Sequence, residues 1–328
     1  MCKFSFLIPV YNSERTIRPV VQRIAETMKQ FDDKTTYEIV LVDDGSSDGV
    51  FPVICDLRRE NPRVRPYRLS RNFGQANALM AGLSQVNGDY VVCLDDDLQT
   101  PPEAFTKLYE KLIEQDADVV YAYYPEKRHS LFRNIGTRLN ALMQIVVFGK
   151  PPELETSSYF IAKKAVVDVV KGYDKPFPYL PGLFMQATGR IACVPVQHAS
   201  RTEGRSGYTF RKLVNLWLDG FTNFSIRPLR FTTLAGLIIA AIAFVLLLFV
   251  LIQKLIVPQI SEGWSSIIAV ILFIGGVQLL SVGLLGEYVG RIYLSVNKTP
   301  QFVIRDKPMQ DHDLADGAGQ NSREESHG

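Results

Sequence analysis

Three adjacent aspartates, Asp95-Asp96-Asp97, followed by Leu98-Gln99 and then by Thr100-Pro101-Pro102-Glu103, are the part of the chain best equipped for chemistry. They follow the apolar run Tyr90 to Leu94, which reads as a buried parallel strand, and the Pro pair with Glu reads as the first turn of the next helix. The carboxylates therefore fall at the C-terminal end of a strand, where open α/β sheets bind ligands. Neighbouring carboxylates repel one another unless a cation lies among them, and hard divalent ions take oxygen ligands, often shared with phosphate. A metal-diphosphate site is the chemical reading; a solvated acidic turn is the alternative for a triplet taken alone.

The elements that would position this site alternate along the chain. Phe4 to Val10 predicts a strand, and Tyr11-Asn12-Ser13-Glu14 a turn that launches a helix to about Phe31. A second strand, Glu38 to Val42, ends in Asp43-Asp44-Gly45-Ser46-Ser47-Asp48-Gly49, so carboxylates at two strand ends face one edge. Val64 to Leu69 predicts a third strand, leading to Ser70-Arg71-Asn72-Phe73-Gly74-Gln75 and a helix through Leu83. After the Asp triplet come a helix over Pro101 to Gln115 and a strand over Asp118 to Ala122. Such alternation implies a doubly wound, mostly parallel sheet. Neither a Walker loop nor a Gly-x-Gly-x-x-Gly run opens the first helix, so ATP hydrolysis and NAD chemistry have no support.

Hydropathy divides the 328 residues into a soluble part and a membrane part. Phe231 to Ile252 and Ile267 to Leu285 carry no charge and, at about 1.5 Å per residue, are long enough as helices to cross a bilayer core. Arg227 and Arg230 precede the first run, Arg291 and Lys298 follow the second, and the connector holds only Lys254 and Glu262. The positive-inside rule then predicts two spans with both termini cytoplasmic. The first apolar run ends at Pro9, too short for a cleavable signal. Cys2, Cys55, Cys93 and Cys193 have neither metal nor redox spacing, which fits a reducing compartment.

A net charge of +2 leaves no nucleic-acid footprint. The basic residues gather instead in two groups, Lys127, Arg128, Arg133 and Arg138, and Arg201, Arg205, Arg211, Lys212, Arg227 and Arg230. Either group is a solvated face or a contact for lipid phosphate. Ser130 to Phe148 has the spacing of an amphipathic helix, in the core or on the membrane plane, and Phe210 to Phe224, with Trp217, that of an interfacial one. The domain boundaries are expected at 1–209 for the catalytic part, 210–230 for the juxtamembrane helix, 231–290 for the transmembrane hairpin, 291–305 for a cytoplasmic segment and 306–328 for a disordered tail.

Five motifs in this order, Pro9-Val10-Tyr11-Asn12, Val42 to Asp48, Arg71-Asn72-Phe73-Gly74-Gln75, Asp95 to Glu103 and Gly286-Glu287-Tyr288-Val289-Gly290-Arg291-Ile292-Tyr293, resemble the polyisoprenyl-phosphate glycosyltransferases, family 2 enzymes of the GT-A fold. The resemblance runs from about residue 4 to residue 304 and is nearest to members that load glucose or a modified aminoarabinose onto undecaprenyl phosphate, more distantly to dolichyl-phosphate mannose synthase. It implies a Rossmann-like GT-A domain with two C-terminal transmembrane helices at the cytoplasmic membrane. It also implies transfer of a sugar, with inversion, from a nucleotide-sugar donor, a UDP-sugar for preference, to a polyprenyl phosphate. On that likeness Pro9, Tyr11 and Asp43 line the nucleotide, with Glu14 and Asp96 on the donor side. Asp95, Asp97 and Gln99 hold Mg²⁺ or Mn²⁺ and the diphosphate. Arg133, Arg201 and Arg205 grip the acceptor phosphate, Glu155 lies near the sugar, and Asp97, Arg133, Arg201 and Glu155 carry the catalysis. A homo-oligomer, a tetramer, is the implied assembly.

The chain departs from that pattern at several places. Ser13 stands where the family commonly has Glu, with Glu14 next to it, and Asp96 where it usually has Ala. Tyr123-Tyr124 replaces a common Arg, with Lys127 or Arg128 as substitutes, and Gly207 replaces a Lys, with Arg205 the nearest cation. The acidic residue near the sugar aligns on Glu155, or with a shift on Ser158. These changes point to a different sugar or subgroup. Two rival functions remain at this level: a processive polysaccharide synthase, for which a Gln-x-x-Arg-Trp signature is missing, and a non-catalytic nucleotide-sugar-binding regulator.

Overall fold

The computed structural model describes residues 2–32, 34–125, 154–197, scattered positions between 232 and 252, 263–297 and 299–307. Eight strands form one sheet: β1 (Lys3–Val10), β2 (Thr36–Asp43), β3 (Val64–Leu69), β4 (Tyr90–Cys93), β5 (Val119–Tyr123), β6 (Phe160–Lys163), β7 (Ile191–Pro195) and β8 (Ile304–Asp306), in the order β7-β5-β6-β4-β1-β2-β3-β8. β1, β2, β3 and β4 run parallel, as do β5 and β7, while β6 is antiparallel to both neighbours and β8 to β3. The architecture is thus a mixed, mostly parallel α/β sheet.

Helices cover both faces, which is why the central strands read as unbroken apolar runs. On one face Phe4, Phe6, Ile8 and Val10 of β1 pack with α1 (Ile17–Met28), α2 (Val50–Glu60) and α4 (Phe105–Glu114), through Val20, Ile24, Ile54, Phe105 and Leu108. On the other, Leu7, Val40 and Val42 meet α3 (Gln75–Leu83), α5 (Lys164–Val170) and α6 (Leu180–Ala187) through Leu79, Leu83, Val167 and Phe184. Alternation along β1 therefore divides its side chains between the two cores. Phe105 is fully buried, edge-on to Phe6 at 5.1 Å and stacked on Phe31 at 5.4 Å. It opens α4 directly behind a 3₁₀ turn at Pro102–Ala104, so the segment after the Asp triplet is anchored in the core.

The membrane part is represented by α7 (Trp264–Val296), 33 residues long. Within it Phe273–Val296 is, among the described residues, the one helix long and apolar enough to cross a membrane. Leu279, Val282 and Val289 are more than half exposed, an apolar surface that lipid would cover. Phe231 to Ile252, the other expected span, is helical at its described positions. Past α7 the chain returns to the sheet: Gln301 Nε2 donates to the Lys175 carbonyl at 2.9 Å, the Ser70 amide to the Val303 carbonyl at 2.9 Å, and Ile304 pairs with Leu69. This return lies at the carboxyl end of β3, on the same edge as the aspartates. Arg291 of α7 also stacks 5.0 Å from the Phe177 ring.

Candidate active site

Three loops at the carboxyl ends of β1, β2 and β4 build the candidate site. Register sets their height: Val10 lies beside Asp43, and Leu7 beside Cys93, two residues before Asp95. Asp43 and the Asp triplet thus share one edge, with Pro9 buried in β1 and Tyr11 half exposed at its tip.

The β2 loop is held mainly by its own carboxylates. Asp43 is fully buried; it accepts the Ser46 amide at 2.8 Å and lies 3.0 Å from Arg68 Nε, whose guanidinium covers the Phe51 ring at 4.9 Å. Asp44 accepts the Phe73 and Gly74 amides at 2.7 and 2.9 Å, clamping the loop that carries Gln75. Burial pushes the Asp44 carboxyl up, against the pull of those two amides. Directly after Asp44, Gly45 has φ +67°, and a Cβ there would lie 2.5 Å from the Arg71 carbonyl carbon, so only glycine fits.

The β1 tip is a turn with Asn12 at φ +53°, a conformation asparagine tolerates. Asn12 donates its amide to Ser46 Oγ at 3.0 Å and accepts the Ser47 amide at 3.0 Å. The Glu14 amide donates to Asp48 at 3.1 Å, and the Glu14 carboxylate accepts the Gly49 amide at 3.3 Å, at the start of α2. Glu14 thus sits where a carboxylate favours a helix N-terminus.

The triplet divides its labour. Asp95 accepts Gln75 Nε2 at 3.0 Å and the Ser158 hydroxyl at 2.5 Å. Asp96 accepts the Tyr11 amide at 3.1 Å and the Ser13 hydroxyl. Asp97 accepts the Gln99 amide at 3.1 Å across Leu98, which has φ +61°. Burial pushes the Asp95 carboxyl up to about 6; the Ser158 hydroxyl opposes this, while the Asp97 and Asp96 charges reinforce it. Burial raises Asp96 too, against its bonds from Ser13 and Tyr11. The Tyr124 phenol is likewise raised, by burial first and then by the charges of Asp95 and Asp97.

Among the described residues no three His, Cys, Asp or Glu side chains gather as a closed metal site. Asp95, Asp97 and Gln99 do fit Mg²⁺ or Mn²⁺ by chemistry: the donors are oxygens, a cation would offset the burial, and after it the neighbouring charges, that raise Asp95, and an ion held by two carboxylates takes its other ligands from phosphate and water.

Of the residues expected from the sequence, Pro9, Tyr11, Glu14, Asp43, Asp95, Asp96, Asp97 and Gln99 come together at this edge. Glu155 is exposed three residues before Ser158, and it is Ser158 that touches Asp95. Arg133, Arg201, Arg205 and Gly207 lie outside the described residues. Sequence reasoning assigned no role to Asp44, Arg68 or Gln75. Asp44 and Gln75 stand within quoted motifs; Arg68, an inward cation on a strand, gave no signal of its own.

Two family models match the chain, one described as glycosyl transferase family 2 over residues 5–164 and one as GtrB C-terminal hairpin over 227–292. The chain is 33% identical over 306 residues to an undecaprenyl-phosphate 4-deoxy-4-formamido-L-arabinose transferase of Photorhabdus laumondii, covering 92% of this chain and 93% of that one. It is 34% identical over 307 residues to the bactoprenol glucosyl transferase of Shigella phage SfII, covering 92% and 97%. Among solved structures, glucosyl-3-phosphoglycerate synthase from Mycobacterium tuberculosis, with Mn²⁺, UDP-glucose and phosphoglyceric acid, is 17% identical and covers 67% of this chain and 79% of that one at a TM-score of 0.47. The chain belongs to the family 2 glycosyltransferases, in the group of polyprenyl-phosphate glycosyltransferases. Its C-terminal hairpin associates it with the membrane.

Proposed function

We propose that the chain moves one sugar, with inversion, from a nucleoside diphosphate sugar, a UDP-sugar for preference, to undecaprenyl phosphate at the cytoplasmic face of the membrane. One observation carries the reading: the chain leaving α7 rejoins the sheet at Leu69, on the edge that holds Asp43 and Asp95 to Asp97. A lipid-anchored acceptor and a water-soluble donor must meet at one edge, and this one serves both. Near-full-length likeness to transferases named for undecaprenyl phosphate and bactoprenol supports the acceptor class.

In this reading an oxygen of the lipid phosphate attacks the anomeric carbon from the face opposite the diphosphate. The C–O bond to the diphosphate breaks, and the leaving nucleoside diphosphate takes the electron pair. The second pKa of a phosphate monoester is near 6, so the acceptor is largely a dianion at neutral pH and a strong general base is not required. The donor lies across the β1 tip and Asp43, and its diphosphate at Asp95, Asp97 and Gln99. A Mg²⁺ or Mn²⁺ ion bound there would supply countercharge to the leaving diphosphate. Arg133, Arg201 and Arg205 hold the acceptor, because a guanidinium fork grips phosphate with two hydrogen bonds. The catalytic domain ends near residue 209, and a juxtamembrane helix and two spans anchor it with both termini cytoplasmic.

The test is to incubate the purified chain with undecaprenyl phosphate and a panel of nucleotide sugars, with and without chelator, and to weigh the lipid. A gain of one sugar mass, lost with chelator and with Asp97→Ala, is expected. An unchanged lipid across the whole panel overturns the reading, and normal transfer by Asp97→Ala removes the metal role.

A further inference from the structure

Asp96 is the middle carboxylate of the triplet, yet it takes two hydrogen bonds from the β1 tip. One oxygen, Oδ2, accepts both the Tyr11 amide at 3.1 Å and the Ser13 hydroxyl. The Tyr11 carbonyl lies 3.1 Å from the same Ser13 hydroxyl and shares its one proton with Asp96, so Tyr11, Ser13 and Asp96 close a small ring of contacts. The same turn is fixed on its other side to the β2 loop, through Asn12 with Ser46 and Ser47 and through Glu14 with Asp48 and Gly49. The turn therefore bridges two loops, and Asp96 is the anchor on the triplet side.

The covalent frame of a nucleoside diphosphate limits the span between its base and its phosphates, so a protein that binds both ends gains from holding the two half-sites at a spacing within that span beforehand. Building on the donor site proposed above, we propose that Asp96 is a positioning residue: with Ser13 it latches the β1 tip, carrying Tyr11, to the loop that carries Asp95 and Asp97, and so sets the span of the donor site. The bonds explain why a third carboxylate is tolerated between the other two. Its charge is met by an N–H and an O–H and need not be met by a metal. They also explain why a short hydroxyl stands at position 13: a carboxylate side chain there would face Asp96 with like charge.

Hydrogen exchange on the full chain in detergent, without nucleotide, reads the latch, and binding of UDP or GDP with Mn²⁺ reads its consequence. Asp96→Ala should lose protection at the Tyr11 amide and weaken binding of the preferred nucleotide by about tenfold or more, the range for a lost hydrogen bond to a charged group. Asp96→Asn can keep its Oδ1 in place as the shared acceptor and should retain both properties. Ser13→Glu should weaken binding, and Asp96→Ala added to it should restore part of the loss. A merely structural Asp96 would lower the melting temperature without changing nucleotide affinity. That result, unchanged Tyr11 exchange in Asp96→Ala, or an Asp96→Asn as defective as Asp96→Ala each overturns the latch while leaving the transferase reading standing. Failure of the wild type to bind either nucleotide overturns both.

Discussion

Replacing Asp44 by Ala should loosen the 71–75 loop and weaken the donor site from a distance. The carboxylate accepts two amides, Phe73 at 2.7 Å and Gly74 at 2.9 Å, and is itself only 3% exposed. A net hydrogen bond is worth about 1 kcal/mol, and one to a charged acceptor about 1.5–3 kcal/mol. Two opposing effects reduce the sum: Phe73 and Gly74 are only half-buried, so water can replace the lost acceptor, and the raised Asp44 carboxyl shows that burying its charge has a cost the substitution removes. A loss of about 2 kcal/mol is therefore expected, roughly 4–8 °C in melting temperature for a domain of about 200 residues. The signature that matters is local. The Phe73 and Gly74 amides should exchange faster, and nucleotide affinity should fall, because Gln75 at the start of α3 would no longer be held against Asp95. Hydrogen exchange, thermal unfolding and nucleotide binding on one preparation give all three. Unaltered exchange at Phe73 and Gly74, with nucleotide affinity intact, would refute the clamp.

Two further outcomes follow from the core and from one buried carboxylate. Phe105→Ala removes a fully buried ring touching Phe4, Phe6 and Phe31 and should cost about 3–5 kcal/mol; a denaturant midpoint within error of the wild type would contradict the packing described. For Glu38, burial works against the charged form, but the Ser5 hydroxyl at 2.6 Å, Arg65 at 2.7 Å and the Asn87 amide at 2.6 Å outweigh it and hold the carboxyl below its usual range. A lowered folded pKa means stability that is fully present above the ordinary glutamate value of about 4.3 and is lost as pH falls through the folded value. The stability gap between wild type and Glu38→Gln should accordingly be large at pH 7 and shrink below about pH 4. A gap that does not change with pH would dismiss this account.

What the sequence disclosed and what it hid follow from the range of the interactions involved. β1, β2, β4 and β5 were legible because their central residues are buried and spell apolar runs, β3 because Val64, Tyr67 and Leu69 stand out around its two arginines, and the aspartates because polar residues at the end of such a run have few structural reasons to be there. β6, β7 and β8 were not: β6 and β7 are as long as β4 and β5, but β7 and β8 are only partly buried and the antiparallel insertion of β6 between β4 and β5 joins segments far apart in the chain. Their absence mattered for the site. β6 lies between β4 and β5 and runs against β4, with Phe160 beside Cys93, so continuing that register by two residues brings Ser158 beside Asp95. Ser158, rather than Glu155, is what this pairing brings against Asp95, a contact that sequence does not announce.

The same argument bears on Asp96 and Ser13. Taken one at a time, an extra carboxylate and a missing one look like two unrelated departures, and each invites an explanation in terms of substrate. They are 83 residues apart, and only the parallel pairing of β1 with β4 makes them neighbours. Once they are neighbours, hydroxyl and carboxylate are complementary where two carboxylates would repel. A family departure at one of these positions is therefore best interpreted together with the residue its strand register places opposite. Ser13→Glu alone should then harm the protein more than Ser13→Glu with Asp96→Ala, an ordering that independent effects at the two sites would not produce.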